Sequence, residues 1–223
     1  MTLATAYVSL YNKNPHGIGL VPPPTPGGRG KYAGNPIVIV GGSSSVGQNG
    51  KLLRYHLSVP KEFIFEANYL VLQLAKLSGF SPIITTASLK HAEALKSLGA
   101  TYVIDRNISS SALASEVASI TQNAPLKYAV DSISLADTQQ AAYDLLSPGG
   151  QLAVFLPITA KTTEEKRIIF ATGFINYPPN VELLNTLFHD DFEGLLKDGV
   201  IKASNIFFLF FLLTNWIALA KPS

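Results

Sequence analysis

The chain contains no cysteine. That absence excludes disulfides, thiolate nucleophiles, iron–sulfur clusters and every zinc site that needs a thiolate. Charge is sparse as well: 14% of the 223 residues are charged, and the formal net charge is +2. So small a balance leaves no electrostatic footprint for nucleic acid, and no nucleic-acid partner is expected. The four histidines, His16, His56, His91 and His189, stand far apart with no His-Glu-x-x-His spacing, so no metal site is expected. The N-terminal stretch has no basic region ahead of an apolar run and does not read as a secretory leader. A reducing, cytoplasmic compartment fits both absences.

Apolar residues are plentiful, at 47% of the chain, which is ample for a core. Their arrangement becomes regular after a Pro/Gly-rich connector. Residues 2–11 read as a short helix and 12–36 as the connector. Four-residue β-branched or apolar runs follow at 37–40 (IVIV), 102–105 (YVID) and 128–131 (YAVD), with longer ones at 82–87 and 151–156. Helical spacing separates them at 70–78, 89–98, 112–121 and 136–146. Ser88 is the expected N-cap of the helix over 89–98, and Gly99 its C-cap. Residues 166–170 are expected to add a sixth strand, and 181–197 a helix with a break near Asp190-Asp191. Strands alternating with helices of about ten residues predict an α/β fold, a doubly wound parallel sheet of about six strands. Ligands of such a sheet bind at the carboxyl ends of its strands. The expected organisation is a remnant helix and connector over 1–35, a nucleotide-binding body over 36–200, and an apolar tail over 201–223.

The chemical signal is Gly41-Gly42-Ser43-Ser44-Ser45-Val46-Gly47, directly after the first strand. Small residues let backbone approach a pyrophosphate, and free N–H groups and hydroxyls donate to its oxygens. Gly42 and Gly47 occupy the first and third positions of G-x-G-x-x-G, with Ser44 in place of the second. The second strand ends Thr85-Thr86-Ala87-Ser88, followed by Lys90. An NAD site has a carboxylate there for the ribose 2′-hydroxyl. Hydroxyls and a cation suit a 2′-phosphate instead, so NADPH is the expected cofactor. No tyrosine is followed by lysine four residues on, which removes the Tyr-x-x-x-Lys pair of short-chain reductases. Asp105 and Asp131 end strands at the carboxyl edge, where aspartates commonly cap a helix or tie a loop. No catalytic acid is singled out.

Three segments, GKYAGNPIVIVGGSSSVGQ, LQLAKLSGFSPIITTASLKHAEALKSLGATYVIDRN and LLSPGGQLAVFLP, resemble the cofactor half of medium-chain dehydrogenases/reductases. The resemblance is to the zinc-free fungal branch with trans-acting enoyl reductases and ToxD-like proteins, and it covers 2–48 and 70–202. It implies a Rossmann fold, NADPH, and hydride transfer to an activated C=C or C=O of a small-molecule substrate. Carried over by motif, it implies that Ser43, Ser44, Ser45 and Val46 hold the pyrophosphate between Gly42 and Gly47. Ser88 and Lys90 would bind the 2′-phosphate. Tyr102 would contact the adenosine side, and Leu156 and Pro157 the nicotinamide ring.

Three departures accompany the resemblance. The family places a GroES-like catalytic domain ahead of this half, and the chain starts at the helix that follows it. An exposed face of that kind invites a homodimer. Residues 49–69 interrupt the run from Val-Gly-Gln into LQLAKLSG. Gly50-Lys51 can be encoded GGT-AAG, a splice donor, Ala67-Asn68 as GCT-AAC, a branch point, and Leu70-Val71 as TTA-GTN, an acceptor. Excising those 21 codons restores the helix in frame, which reads as a retained intron. Last, Ile206–Ala220 (IFFLFFLLTNWIALA) is shorter than the ~20 residues of a membrane span. Its expected role is a buried helix or a readthrough, with membrane association through 203–220 as the alternative. The competing reading of the whole is a non-catalytic dinucleotide-binding domain.

Overall fold

A computed structural model describes residues 2–42 and 66–197. The serine loop from Ser43 to Gly47, the start of the insertion and the apolar tail lie outside the described residues. A helix α1 (Thr2–Tyr11) leads through the connector to β1 (Ile37–Val40). Then come α2 (Glu66–Ser78), β2 (Ile83–Ala87), α3 (Ala92–Leu98), β3 (Tyr102–Asp105) and α4 (Ser110–Thr121). The chain continues through β4 (Tyr128–Asp131), α5 (Ala136–Leu145), β5 (Gln151–Val154), β6 (Arg167–Phe170), α6 (Pro178–Thr186) and α7 (Phe192–Lys197).

The six strands lie in the order β3-β2-β1-β4-β5-β6, and every neighbouring pair is parallel. This is the Rossmann doubly wound sheet that the alternation predicts. All four residues of β1 are buried, as a central strand covered on both faces requires. Successive side chains of a strand point to opposite faces. Ile37 and Ile39 therefore join the core under α1, α2, α3 and α6. Val38 and Val40 join the core under α4 and α5. Helix α1 is apolar almost all round, and Ala6, Tyr7, Val8 and Leu10 are buried within that first core.

Several boundaries differ from the sequence expectation. The helix over 89–98 splits into a tight turn at Leu89–His91 and an α-helix from Ala92. Ser88 makes no side-chain cap bond there. β5 ends at Val154 because the chain leaves the sheet to meet α5, as described below. The expected break near Asp190 is a wide π-type turn over Leu187–Asp191. The connector is folded against the body rather than loose. Tyr32 stacks on Phe80 with ring centres 5.0 Å apart, and Tyr128 packs edge-on against both. Gly79 (φ +89°) lets the connector pass, since a Cβ there would sit 2.5 Å from Gly30 Cα.

Candidate cofactor site

The strand order reverses between β1 and β4, so the crevice for a ligand opens at their carboxyl ends. Gly41 and Gly42 leave β1 at that point, Gly41 with φ +84°. Both backbone amides are committed to β2. Gly41 N–H donates to Thr86 Oγ1 at 3.0 Å and Gly42 N–H to Thr86 O at 2.9 Å. A Cβ on Gly42 would lie 2.2 Å from Thr85 Oγ1. Gly42 thus shapes the turn against β2, and its N–H is not spare for a phosphate. The segment expected to hold a pyrophosphate, Ser43, Ser44, Ser45, Val46 and Gly47, lies outside the described residues.

On the β2 side, the two threonine hydroxyls are bonded to the backbone of β1 and the turn after it. Thr85 Oγ1 donates to Ile39 O at 2.7 Å, and Thr86 Oγ1 takes the Gly41 amide. Both threonines are buried, so of the hydroxyls expected to suit a 2′-phosphate only that of Ser88 lies nearer the surface. The reason is that alternating side chains of a central strand point into the two packed faces. Ser88 is half-buried one residue past the strand, and Lys90 is exposed in the turn that follows. A residue missed in the sequence joins them. Arg106 N–H donates to Ala87 O at 3.0 Å, which sets an exposed arginine beside Ser88. The nearby carboxylate of Asp105 is turned into its own loop, where Oδ1 accepts Asn107 N–H at 2.9 Å. The signal for Arg106 was its place one residue past YVID, as Ser88 stands one past β2.

Tyr102 is not brought to this group. It opens β3, in register with Ile84, while Asp105 is level with Ala87. Three residues at ~3.3 Å each separate it from the carboxyl edge.

On the β4 side, Asp131 has no exposed surface. Its Oδ1 accepts Ile133 N–H and Ser134 N–H, both at 2.9 Å, and its Oδ2 accepts Thr138 Oγ1–H at 2.7 Å. Burial outweighs these three bonds and pushes the carboxyl up to about 6. Asp131 therefore ties a loop, the role expected of an aspartate at this edge. Ser134 (φ +56°) donates from Oγ to Asp131 O at 2.6 Å and accepts Phe155 N–H at 2.8 Å. Leu156 is half-buried and Pro157 exposed in the segment after β5. Both stand at the carboxyl edge, and Pro157 O accepts from the buried amide of Gln139 at 3.0 Å. Gln139 and Ser134 carried no sequence signal, since their partners are backbone groups around 20 residues away.

Among the described residues no group of three or more His, Asp or Glu side chains comes together to hold a metal ion. Nor is any described helix long and apolar enough to cross a membrane. A Gly-Gly turn at the β1/β4 reversal, with polar groups on both flanks, stands where a doubly wound sheet of the Rossmann class takes its ligand.

Residues 69–171 match the family model described as zinc-binding dehydrogenase. The trans-enoyl reductase himH of Aspergillus japonicus is 30% identical over 175 residues, which covers 78% of this chain and 44% of that protein. The chain spans less than half the length of the curated relatives it matches. Among solved structures, the CurK enoyl reductase superposes with a TM-score of 0.59 at 15% identity, covering 92% of this chain and 52% of that one. Mycobacterial Rv1454c, complexed with NADPH, gives 0.55 at 17% identity, covering 86% and 53%. Over residues 69–171 the chain thus has a zinc-binding-dehydrogenase-type domain, and it is similar to the cofactor-binding half of medium-chain dehydrogenases/reductases, fungal trans-enoyl reductases among them.

Proposed function

We propose that this chain binds NADPH across the β1/β4 crevice and serves an oxidoreductase of the enoyl reductase type. The observation that carries the reading is the carboxyl end of β2 and β3. Asp105 at the end of β3 is half-buried with Oδ1 on Asn107 N–H, while Ser88 and the exposed Lys90 and Arg106 follow directly on the ends of β2 and β3. A hydroxyl and two cations suit a 2′-phosphate and would repel nothing on it. The serine segment Ser43–Val46 supplies pyrophosphate donors, and Leu156 and Pro157 face the nicotinamide. When bound, the reduced nicotinamide supplies a hydride to an activated C=C, or C=O, of a small enoyl or carbonyl substrate. The residues of this half bind and orient; positioning accounts for much of such catalysis. No proton donor is assigned.

Within the same reading, Gly50–Leu70 is intervening sequence. Support comes from α2, where Val71 to Ala75 are buried while Tyr69 and Leu70 are half-buried. The family match begins at residue 69.

Nicotinamide fluorescence titration tests both statements. NADPH should bind more tightly than NADH, and a version lacking Gly50–Leu70 should bind more tightly than the full chain. Equal affinity for NADH and NADPH overturns the cofactor assignment. Unchanged affinity in the shortened version overturns the intervening-sequence reading. Oxidation of NADPH by an enoyl thioester separates an active reductase from a domain that binds without turnover.

A further inference from the structure

The geometry points to Gln139 as the positioning residue for the nicotinamide end of the site, an inference that rests on the NADPH reading above. Gln139 lies in the first turn of α5 and has no exposed surface. Its Nε2 donates to Ser134 O and to Pro157 O, both at 3.0 Å. Its Oε1 accepts Thr159 N–H at 2.8 Å and Ala160 N–H at 3.3 Å. A primary amide has two donors and two acceptor positions, and all four are used. Three of the four partners are backbone groups of Pro157–Ala160.

Those partners do not need the amide for their own sake. Pro157 and Thr159 are exposed, so water would satisfy their backbone groups. Burying a side-chain amide costs on the order of 1–3 kcal/mol unless it is bonded. A fold with an apolar residue at this place would avoid that cost. What the amide adds is a fixed shape for the segment after β5. The neighbours on α5 act alike: Gln140 Oε1 accepts Lys161 N–H at 2.9 Å, and Tyr143 Oη accepts Thr163 N–H at 2.7 Å. Ser134 Oγ holds the other end through Phe155 N–H. Leu156 and Pro157 are thereby suspended between two anchors, Ser134 and Gln139, both drawn from the β4–α5 corner. The surface next to the crevice is held at the height and tilt that the corner dictates. Orientation of donor against acceptor is where a small misplacement costs most. Gln139 acts through the backbone of the loop and touches no substrate.

The test compares two probes, NADPH and its adenosine bisphosphate half, which lacks nicotinamide. In Gln139→Met, a buried side chain of similar length without the four bonds, NADPH affinity should fall about tenfold while the adenosine half stays within about twofold. The nicotinamide fluorescence of the bound state should shift toward that of free cofactor. Equal weakening of both probes, or no weakening of NADPH, overturns the inference. Should Gln139→Met fail to fold, amide exchange on the unaltered chain decides. NADPH should slow exchange at Thr159 and Ala160 and the adenosine half should not; identical protection by the two, or none, overturns it. If the unaltered chain binds neither probe, the proposed function falls and the inference with it. Binding of the adenosine half as tightly as NADPH overturns the inference alone.

Discussion

The carboxyl ends of β2 and β3 and those of β4 and β5 flank one crevice, yet they spend their polar side chains in opposite ways. At β2 and β3 the buried threonine hydroxyls close backbone bonds to β1, and Ser88, Lys90 and Arg106 remain near the surface. At β4 and β5 the polar groups turn inward. Asp131, Ser134 and Gln139 are buried and bonded to each other's backbone or to the following loop. One flank presents charge, and the other uses hydrogen bonds to set shape. A ligand with an anionic end and a planar, uncharged end suits that division. The comparison teaches that polar residues at a strand end carry no single meaning: their burial decides whether they bind or build.

The division can be broken from the shape-setting flank first. Asp131 is raised from 3.8 to about 6 by burial, so the folded state holds its proton more tightly than the unfolded one between those pH values. Its contribution is fully present below pH ~4 and lost as pH rises through ~6. Asp131→Asn should therefore flatten the pH dependence of stability between ~4 and ~6, where wild type loses stability as pH rises. Urea unfolding at several pH values measures this; an unchanged slope would show that Asp131 is not the group responsible.

Next comes the turn between the flanks. Gly42→Ala places a methyl against Thr85 Oγ1 and should lower stability by roughly 1–3 kcal/mol. In a Thr85→Ala background about half of that loss should return, as a double-mutant cycle on thermal melting would reveal.

The charged flank should respond in affinity rather than stability. Lys90→Ala and Arg106→Ala should each weaken NADPH about fivefold to tenfold, leave NADH within about twofold, and shift melting by little. Parallel titrations of the two cofactors decide this, and equal losses for both would remove the 2′-phosphate role. The smallest effect is expected at Tyr102→Ala, with NADPH affinity within about twofold, because Tyr102 stands at the other end of β3. A larger drop would mean that the adenosine end reaches along the outer strand.

The sheet was legible because each buried parallel strand is a short β-branched or apolar run with a turn behind it. IVIV, YVID and YAVD mark their own bounds. The flanking helices were less sharp. Proline at the start of α6 and the wide turn at Leu187–Asp191 obey packing against α1 rather than sequence period. Of the candidate site, Ser88 and Lys90 were legible because their offset from the strand end is local. Tyr102, expected on the adenosine side, stands at the amino end of β3, a position that a motif match does not encode. Arg106 and Gln139 were passed over for different reasons. Arg106 is brought in by the register of β2 with β3, and Gln139 acts on backbone atoms that a residue pattern does not encode.

Tyr32, Phe80 and Tyr128 gather below the sheet, at the amino ends of β2 and β4, across the molecule from the crevice. The ring cluster seats the connector on the floor of the domain, so heating should loosen the rim before the base. A nucleotide that binds the folded rim would then raise its melting temperature more than that of the base.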